Sequence, residues 1–172
     1  MSVDLGGGAS ATGRIVQIIA LLTVLSLAPS ILVMVTSFTR IVVVLSFLRN
    51  AMGVQQTPPN AVLISLALFL TAFVMTPTLE QSYREGLAPL LENRITEEEA
   101  FSRTIKPIHS FMMTHVREHD LQLFMEMAKT PPVANAADTP LRSLVPAFMI
   151  SELRRAFEIG FLLFVPFLII DM

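Results

Sequence analysis

Three stretches of this 172-residue chain carry no charged side chain: Ile15–Thr39, Ala51–Leu79 and Ile159–Ile170. Between Glu80 and Arg142, by contrast, stand seventeen charges and all three histidines. Apolar runs this long must be buried against protein or given to lipid, because water cannot solvate them. The composition points to lipid. Only 15% of residues are charged and 53% are hydrophobic, with a mean hydropathy of +0.64, whereas an ordinary soluble domain is about a quarter charged. Disorder, a coiled coil and most soluble enzymes are excluded on this ground, and an integral membrane protein is favoured. Twelve basic against fourteen acidic residues give a net charge of −2. That leaves no basic excess for neutralising phosphates, so nucleic acid is excluded as a partner. The absence of Cys removes disulfides, thiolate metal sites and cysteine nucleophiles together. With no Trp and one Tyr, a strong aromatic belt is also missing.

The fold class expected is therefore all-α: a membrane protein whose apolar helices or helical hairpins flank a small, mostly helical polar domain. Residues 1–13 are rich in Gly, Ser and Ala and read as a flexible N-terminus. They lack the basic and apolar regions of a cleavable signal peptide, so the following run reads as an uncleaved anchor. Residues 14–79 form an apolar region with helices over about 15–49 and 58–76. Ile15–Val35 alone would span roughly 31 Å as a helix, enough for a bilayer core, with a kink expected at Pro29. Arg49, Asn50 and Gly53 read as a helix C-terminus, and Thr57 and Pro58 as the cap and first residue of the next helix. The second run, Ala61–Met75, is short for a span at roughly 22 Å. Residues 80–143 form the polar helical domain. Its Thr96-Glu97-Glu98-Glu99 fits a capping box; a second helix is expected from Pro107, and a third capped by Asp120.

Residues 144–172 make an amphipathic helix that turns uniformly apolar, with a kink expected at Pro166. Around the helix axis Glu152, Arg154, Arg155 and Glu158 lie at about 0°, 200°, 300° and 240°. Half the circumference is thus charged, and ion pairs of Arg155 with Glu152 and Glu158, and of Arg154 with Glu158, are expected. Facing lipid, such groups would cost about 2.5–3.5 kcal/mol each. They must face protein, water or the interface, which makes all four candidate subunit contacts. Arg40 and Arg49 read as helix-end charges that snorkel to the membrane interface. The loop around them holds two arginines and no acid, while the polar region holds ten acids against seven bases. The positive-inside rule therefore puts the short loop in the cytoplasm and the polar domain in the periplasm.

Motifs for chemistry are few. His115-Val116-Arg117-Glu118-His119 fits H-x-x-E-H, the inverted zincin pattern. On one helix, His115 and His119 would share a face at spacing four, as zinc requires, and a membrane zinc protease is the remote alternative this raises. Five-residue patterns recur by chance, and solvated histidines are the favoured reading. There is no Walker A loop and no G-x-G-x-x-G, so no cofactor is expected.

Several stretches together carry a resemblance. Thr36-Ser37-Phe38-Thr39-Arg40-Ile41, Leu48-Arg49-Asn50-Ala51-Met52-Gly53, Pro58-Pro59-Asn60 and Ala67-Leu68-Phe69-Leu70-Thr71 come first. Arg117-Glu118-His119-Asp120-Leu121, then Pro146 to Phe161, then Phe167-Leu168-Ile169-Ile170-Asp171 complete the series. This order resembles the FliP family of flagellar type III export-gate membrane proteins and its virulence-secretion relatives. The resemblance implies a non-enzymatic subunit of the export gate in the bacterial inner membrane, at the flagellar basal body. It implies a pentamer-like ring of copies joined by FliQ-like and FliR-like subunits, through which unfolded flagellar proteins pass. The virulence (injectisome) system is the alternative; Thr39-Arg40 looks more flagellar. The family pattern continues beyond Ile170-Asp171-Met172 with further apolar and methionine-rich sequence, so the resemblance also implies a C-terminally shortened chain. His115 and His119 are not part of that pattern.

Overall fold

In the computed structural model, which describes residues 11–54 and 57–171, helices are the only regular elements. They are α1 (Ala11–Val35), α2 (Phe38–Ala51), α3 (Asn60–Ser82), α4 (Ala88–Leu91), α5 (Glu97–His115), α6 (Glu118–Met127) and α7 (Leu141–Asp171). One π-helical turn, Tyr83–Leu87, joins α3 to α4, and a 3-10 turn, Ala136–Asp138, precedes α7. The all-α expectation is met. Residues 1–10 of the N-terminal segment expected to be flexible lie outside the described residues.

Two compact units divide at Leu32–Val33. The first is the greater part of α1, which holds Pro29 without ending. The second, Val33–Met172, contains everything else, so the polar helices α5 and α6 fold onto the apolar helices. α7 is its central rod: α2, α5 and α6 all pack against it, and α3 packs on α2 and α5. At the centre of this unit, Phe148 and Leu144 of α7 meet Met112 of α5 and Val35, with Ile108, Phe111 and Leu121 around them. The Phe111 and Phe148 rings meet edge to face at 5.9 Å, a favoured aromatic geometry.

Local chemistry explains where the helices depart from expectation. The helix expected over about 15–49 is broken at Thr36-Ser37. Both residues are buried; the Thr36 hydroxyl accepts the Phe38 N–H at 3.4 Å and the Ser37 carbonyl accepts Ile41 N–H at 3.2 Å. A second helix thus starts there and can lie against α7. α2 ends as expected, with Arg49 in its last turn and Gly53 at φ +71°, the left-handed region that costs glycine least. The next helix begins at Asn60 rather than at Pro58. The Pro59 carbonyl takes the first amides, from Val62 at 3.0 Å and Leu63 at 3.3 Å, and Thr57 caps nothing. Nor does the helix of the second apolar run stop near residue 76. The helix passes Pro77 and continues through the π turn to Leu91, 32 residues in all, and its most apolar 18-residue stretch has a mean hydropathy of 2.1. The reading of this segment as too short for a span is corrected. With Gly13–Val35, it is one of two described helices long and apolar enough to cross a membrane.

In the polar region the Thr96 cap is present, its hydroxyl accepting the Glu99 N–H at 3.3 Å. The expected break at Pro107 is absent: α5 runs through it, and the buried proline sits among the packing of α5 on α3 and α7. That packing offsets the hydrogen bond a proline removes. Asp120 is not a cap either. It lies in the first turn of α6, after Arg117 as the capping residue.

Two glycines set the helix spacing. A Cβ on Gly160 of α7 would lie 2.5 Å from Cδ2 and 2.6 Å from Cγ of the Phe47 ring on α2. One on Gly86, in the π turn, would lie 2.8 Å from the Thr104 amide nitrogen and 2.9 Å from the Ala100 carbonyl of α5. Backbone yields less readily than a ring, so Gly86→Ala is expected to lower stability more than Gly160→Ala, within the ~1–3 kcal/mol range of overpacking. The Gly160→Ala loss should shrink when Phe47 is also changed to Ala; thermal unfolding in detergent of the four variants checks both expectations.

Candidate functional site: the charged face of α7

About two turns of α7 carry Ser151, Glu152, Arg154, Arg155 and Glu158, and each finds a partner in the folded chain. Glu152 is fully buried. The Arg40 Nε, from the first turn of α2, lies 3.1 Å from one carboxylate oxygen, and the Arg155 Nη1 lies 4.0 Å from the other. These are ion-pair distances without hydrogen-bond alignment, and neither oxygen has a hydrogen-bond partner among the described residues. Such a carboxylate has lost its water without full replacement, a costly arrangement. Burial accordingly pushes the Glu152 carboxyl above the usual range, and Arg40, His115 and Arg155 pull it back only in part.

The opposite side of the face reaches α6. Ser151 donates its hydroxyl to Asp120 at 2.8 Å and accepts the Arg117 backbone N–H at 3.0 Å. Arg154 donates to the second Asp120 oxygen at 3.1 Å. Asp120 is only 1% exposed, so these bonds replace the water its charge requires. The Arg117 guanidinium donates to Glu158 at 2.5 Å, and that bond raises the Arg117 pKa further. Arg40 thus holds α2 to α7, while Asp120 and Arg117 hold α6 to α7.

Of the intrahelical pairs expected, Arg155–Glu152 is present, but Glu158 pairs with Arg117 and Arg154 with Asp120. Arg40 gains a partner that spacing rules did not suggest. It does stand at a helix end, in the first turn of α2, but its guanidinium is turned to the buried Glu152. Arg49 also sits at a helix end, where its Nη1 donates to Asn60 Oδ1 at 2.6 Å and to the Pro58 carbonyl at 3.4 Å. It pins the start of α3 to the end of α2. His115 and His119 do not share a helix face: α5 ends at His115, α6 starts at Glu118, and the His115 Nδ1 lies 2.8 Å from the Phe111 carbonyl. No metal-holding group of three or more His, Asp or Glu occurs among the described residues. Asp120, Ser151 and Arg117 had no spacing signal of their own, since their partners lie 31 to 41 positions away.

An all-helical chain with two described helices of membrane-spanning length and composition, the second of them buried along a single stripe, belongs to the class of helical membrane proteins. The FliP family model matches residues 21–172, and the chain belongs to that family. It is 59% identical over all 172 residues to the "Flagellar biosynthetic protein FliP" of Caulobacter vibrioides, of which it covers 65%. The Bacillus subtilis protein of that name is 53% identical over 91% of this chain, which covers 71% of it. The Aquifex aeolicus one is 50% identical over 91% of the chain, which covers 66% of it. The chain thus spans about two thirds of the length of these relatives.

The elevated Glu152 pKa has a defined sign. A carboxyl with a folded pKa above its unfolded value contributes stability that is full below the unfolded pKa, about 4.3 for Glu, and lost as pH rises through the folded pKa. Thermal unfolding against pH should therefore show the wild type losing stability relative to Glu152→Gln on going upward from that point. A difference constant in pH contradicts it. Asp120→Ala, which strands the Ser151 hydroxyl and Arg154, should cost about 1–3 kcal/mol and release the amides of α6 first in hydrogen exchange.

Proposed function

We propose that the chain is a non-enzymatic, membrane-inserted subunit of the flagellar type III export gate. In this reading copies assemble with FliQ-like and FliR-like subunits into a ring around the path taken by unfolded flagellar proteins. The observation that carries it is the match to the FliP family over residues 21–172, with relatives of that name at 50–59% identity. The surface supports it. In α3 only Leu63, Ala67, Thr71 and Met75, at every fourth position, are buried along the first four turns, while Phe69 and Phe73 are 69% and 74% exposed. Phe161, Leu162, Ile169 and Ile170 of α7 are open as well. So much apolar surface requires lipid or neighbouring subunits. The flagellar reading is preferred to the virulence one because the relatives named above are flagellar proteins.

Within this reading Glu152 is engaged inside the subunit, which encloses it, whereas Arg154 and Glu158, each about half exposed, remain available to a neighbour. The polar helices α5 and α6 would face the periplasm. Co-expression with FliQ-like and FliR-like partners, followed by native mass spectrometry of the detergent-solubilised material, is the test. A discrete hetero-oligomer is expected; a monodisperse monomer that binds neither partner contradicts the proposal. Phe73→Lys, on the exposed face, should diminish that assembly at least several-fold without changing helix content measured by circular dichroism.

A further inference from the structure

A crevice of about 410 Å³ opens between α2, α3 and α7. Its walls are apolar, chiefly Val44 and Leu45 of α2 and Leu70 and Val74 of α3, and Ser37 and Arg40 supply the polar part of its lining. The Ser37 hydroxyl is fully buried and has no hydrogen-bond partner among the described residues. Arg40 meets Glu152 through Nε, and its two outer nitrogens make no hydrogen bond among the described residues. Its side chain is 23% exposed. Glu152 also serves Arg155, so two guanidinium groups share one carboxylate and a positive charge is left in excess. A partly exposed, incompletely matched cation at the polar end of an apolar crevice calls for an acceptor-rich, anionic group. The apolar walls, one of them a helix long enough to cross a membrane, call for a hydrocarbon chain in continuity with it.

We propose that this crevice binds an anionic phospholipid, with one acyl chain along Val44, Leu45, Leu70 and Val74 and the phosphate against the Arg40 outer nitrogens. The position of Arg40 then marks the depth of the lipid phosphate on this subunit. No bond is made or broken, and the lipid acts as a wedge that completes the α2–α3 packing.

Native mass spectrometry of the 172-residue chain released from mild detergent, with added phosphatidylglycerol or phosphatidylcholine, tests this. The wild type should retain one phosphatidylglycerol per chain at least several-fold more often than phosphatidylcholine. Arg40→Gln should abolish that preference. Because this change also disturbs Glu152, Val74→Trp is the second variant. Val74 is 45% exposed at the crevice, and the larger ring should exclude the acyl chain while leaving helix content intact. Phe73→Trp, on the outward face, should retain the lipid as the wild type does. Equal retention of the two lipids by the wild type, or an unchanged preference in Val74→Trp, overturns the proposal. So does displacement of phosphatidylglycerol by millimolar inorganic phosphate, which would identify a simple anion site.

Discussion

Glu152 brings a charge into the interior of a protein that has few charges to spare, and the positions of its neighbours follow from that. A carboxylate stripped of water is tolerated only when cations are brought to it. α7 supplies Arg155 from its own next turn, and α2 must supply Arg40. To present Arg40 there, the apolar run that begins in α1 has to be interrupted, and Thr36 and Ser37 interrupt it with side-chain and carbonyl contacts that start a new helix. α2 then lies along α7, closely enough that Gly160 is needed where the Phe47 ring passes. The same turns of α7 tie α6 down through Ser151, Arg154 and Glu158, so one charged face organises two neighbours on different sides.

This arrangement also explains what the chain leaves uncovered. The central rod spends its polar half inside its own subunit, on Arg40, Asp120 and Arg117, and directs its uniformly apolar end, from Phe161 onward, outward. α3 is bound along one narrow stripe only, with its phenylalanines on the other side. Stability within the subunit comes from the ion pairs and the small core around Phe148; the outward faces wait for lipid or for other subunits.

Much of this was legible in the residues. Charge-free runs showed the helical membrane class, the Thr96 cap and the Gly53 stop were read correctly, though the Glu99 carboxylate takes Arg103 rather than closing the box, and the ordered stretches from Thr36 to Asp171 carried the family. The charged face of α7 was visible as an angular cluster that could not face lipid. What stayed hidden was which charges would meet. Pairing rules of spacing three and four see only one helix, and of three expected pairs only Arg155–Glu152 formed. The partners Arg40, Asp120 and Arg117 come from elsewhere in the chain, and tertiary packing selects them. The prolines misled for a related reason: Pro77 and Pro107 end helices in water, but in α3 and α5 the packing of the surrounding turns offsets the missing hydrogen bond. The histidines of H-x-x-E-H were separated because the backbone at Val116 is extended, at φ −67° and ψ 142°, which ends α5 at His115.

The most direct test of the account is a double-mutant cycle on the pair that fixes α2 against α7. Unfolding free energies in detergent would be measured for Arg40→Met, Glu152→Leu and the double variant. If a buried ion pair holds the helices, Arg40→Met, which strands the carboxylate, should cost about 3–5 kcal/mol. The double variant should recover much of that loss, giving a coupling of about 0.5–3 kcal/mol. Strict additivity of the two single changes would contradict it, and would mean that α2 is held to α7 by apolar packing alone.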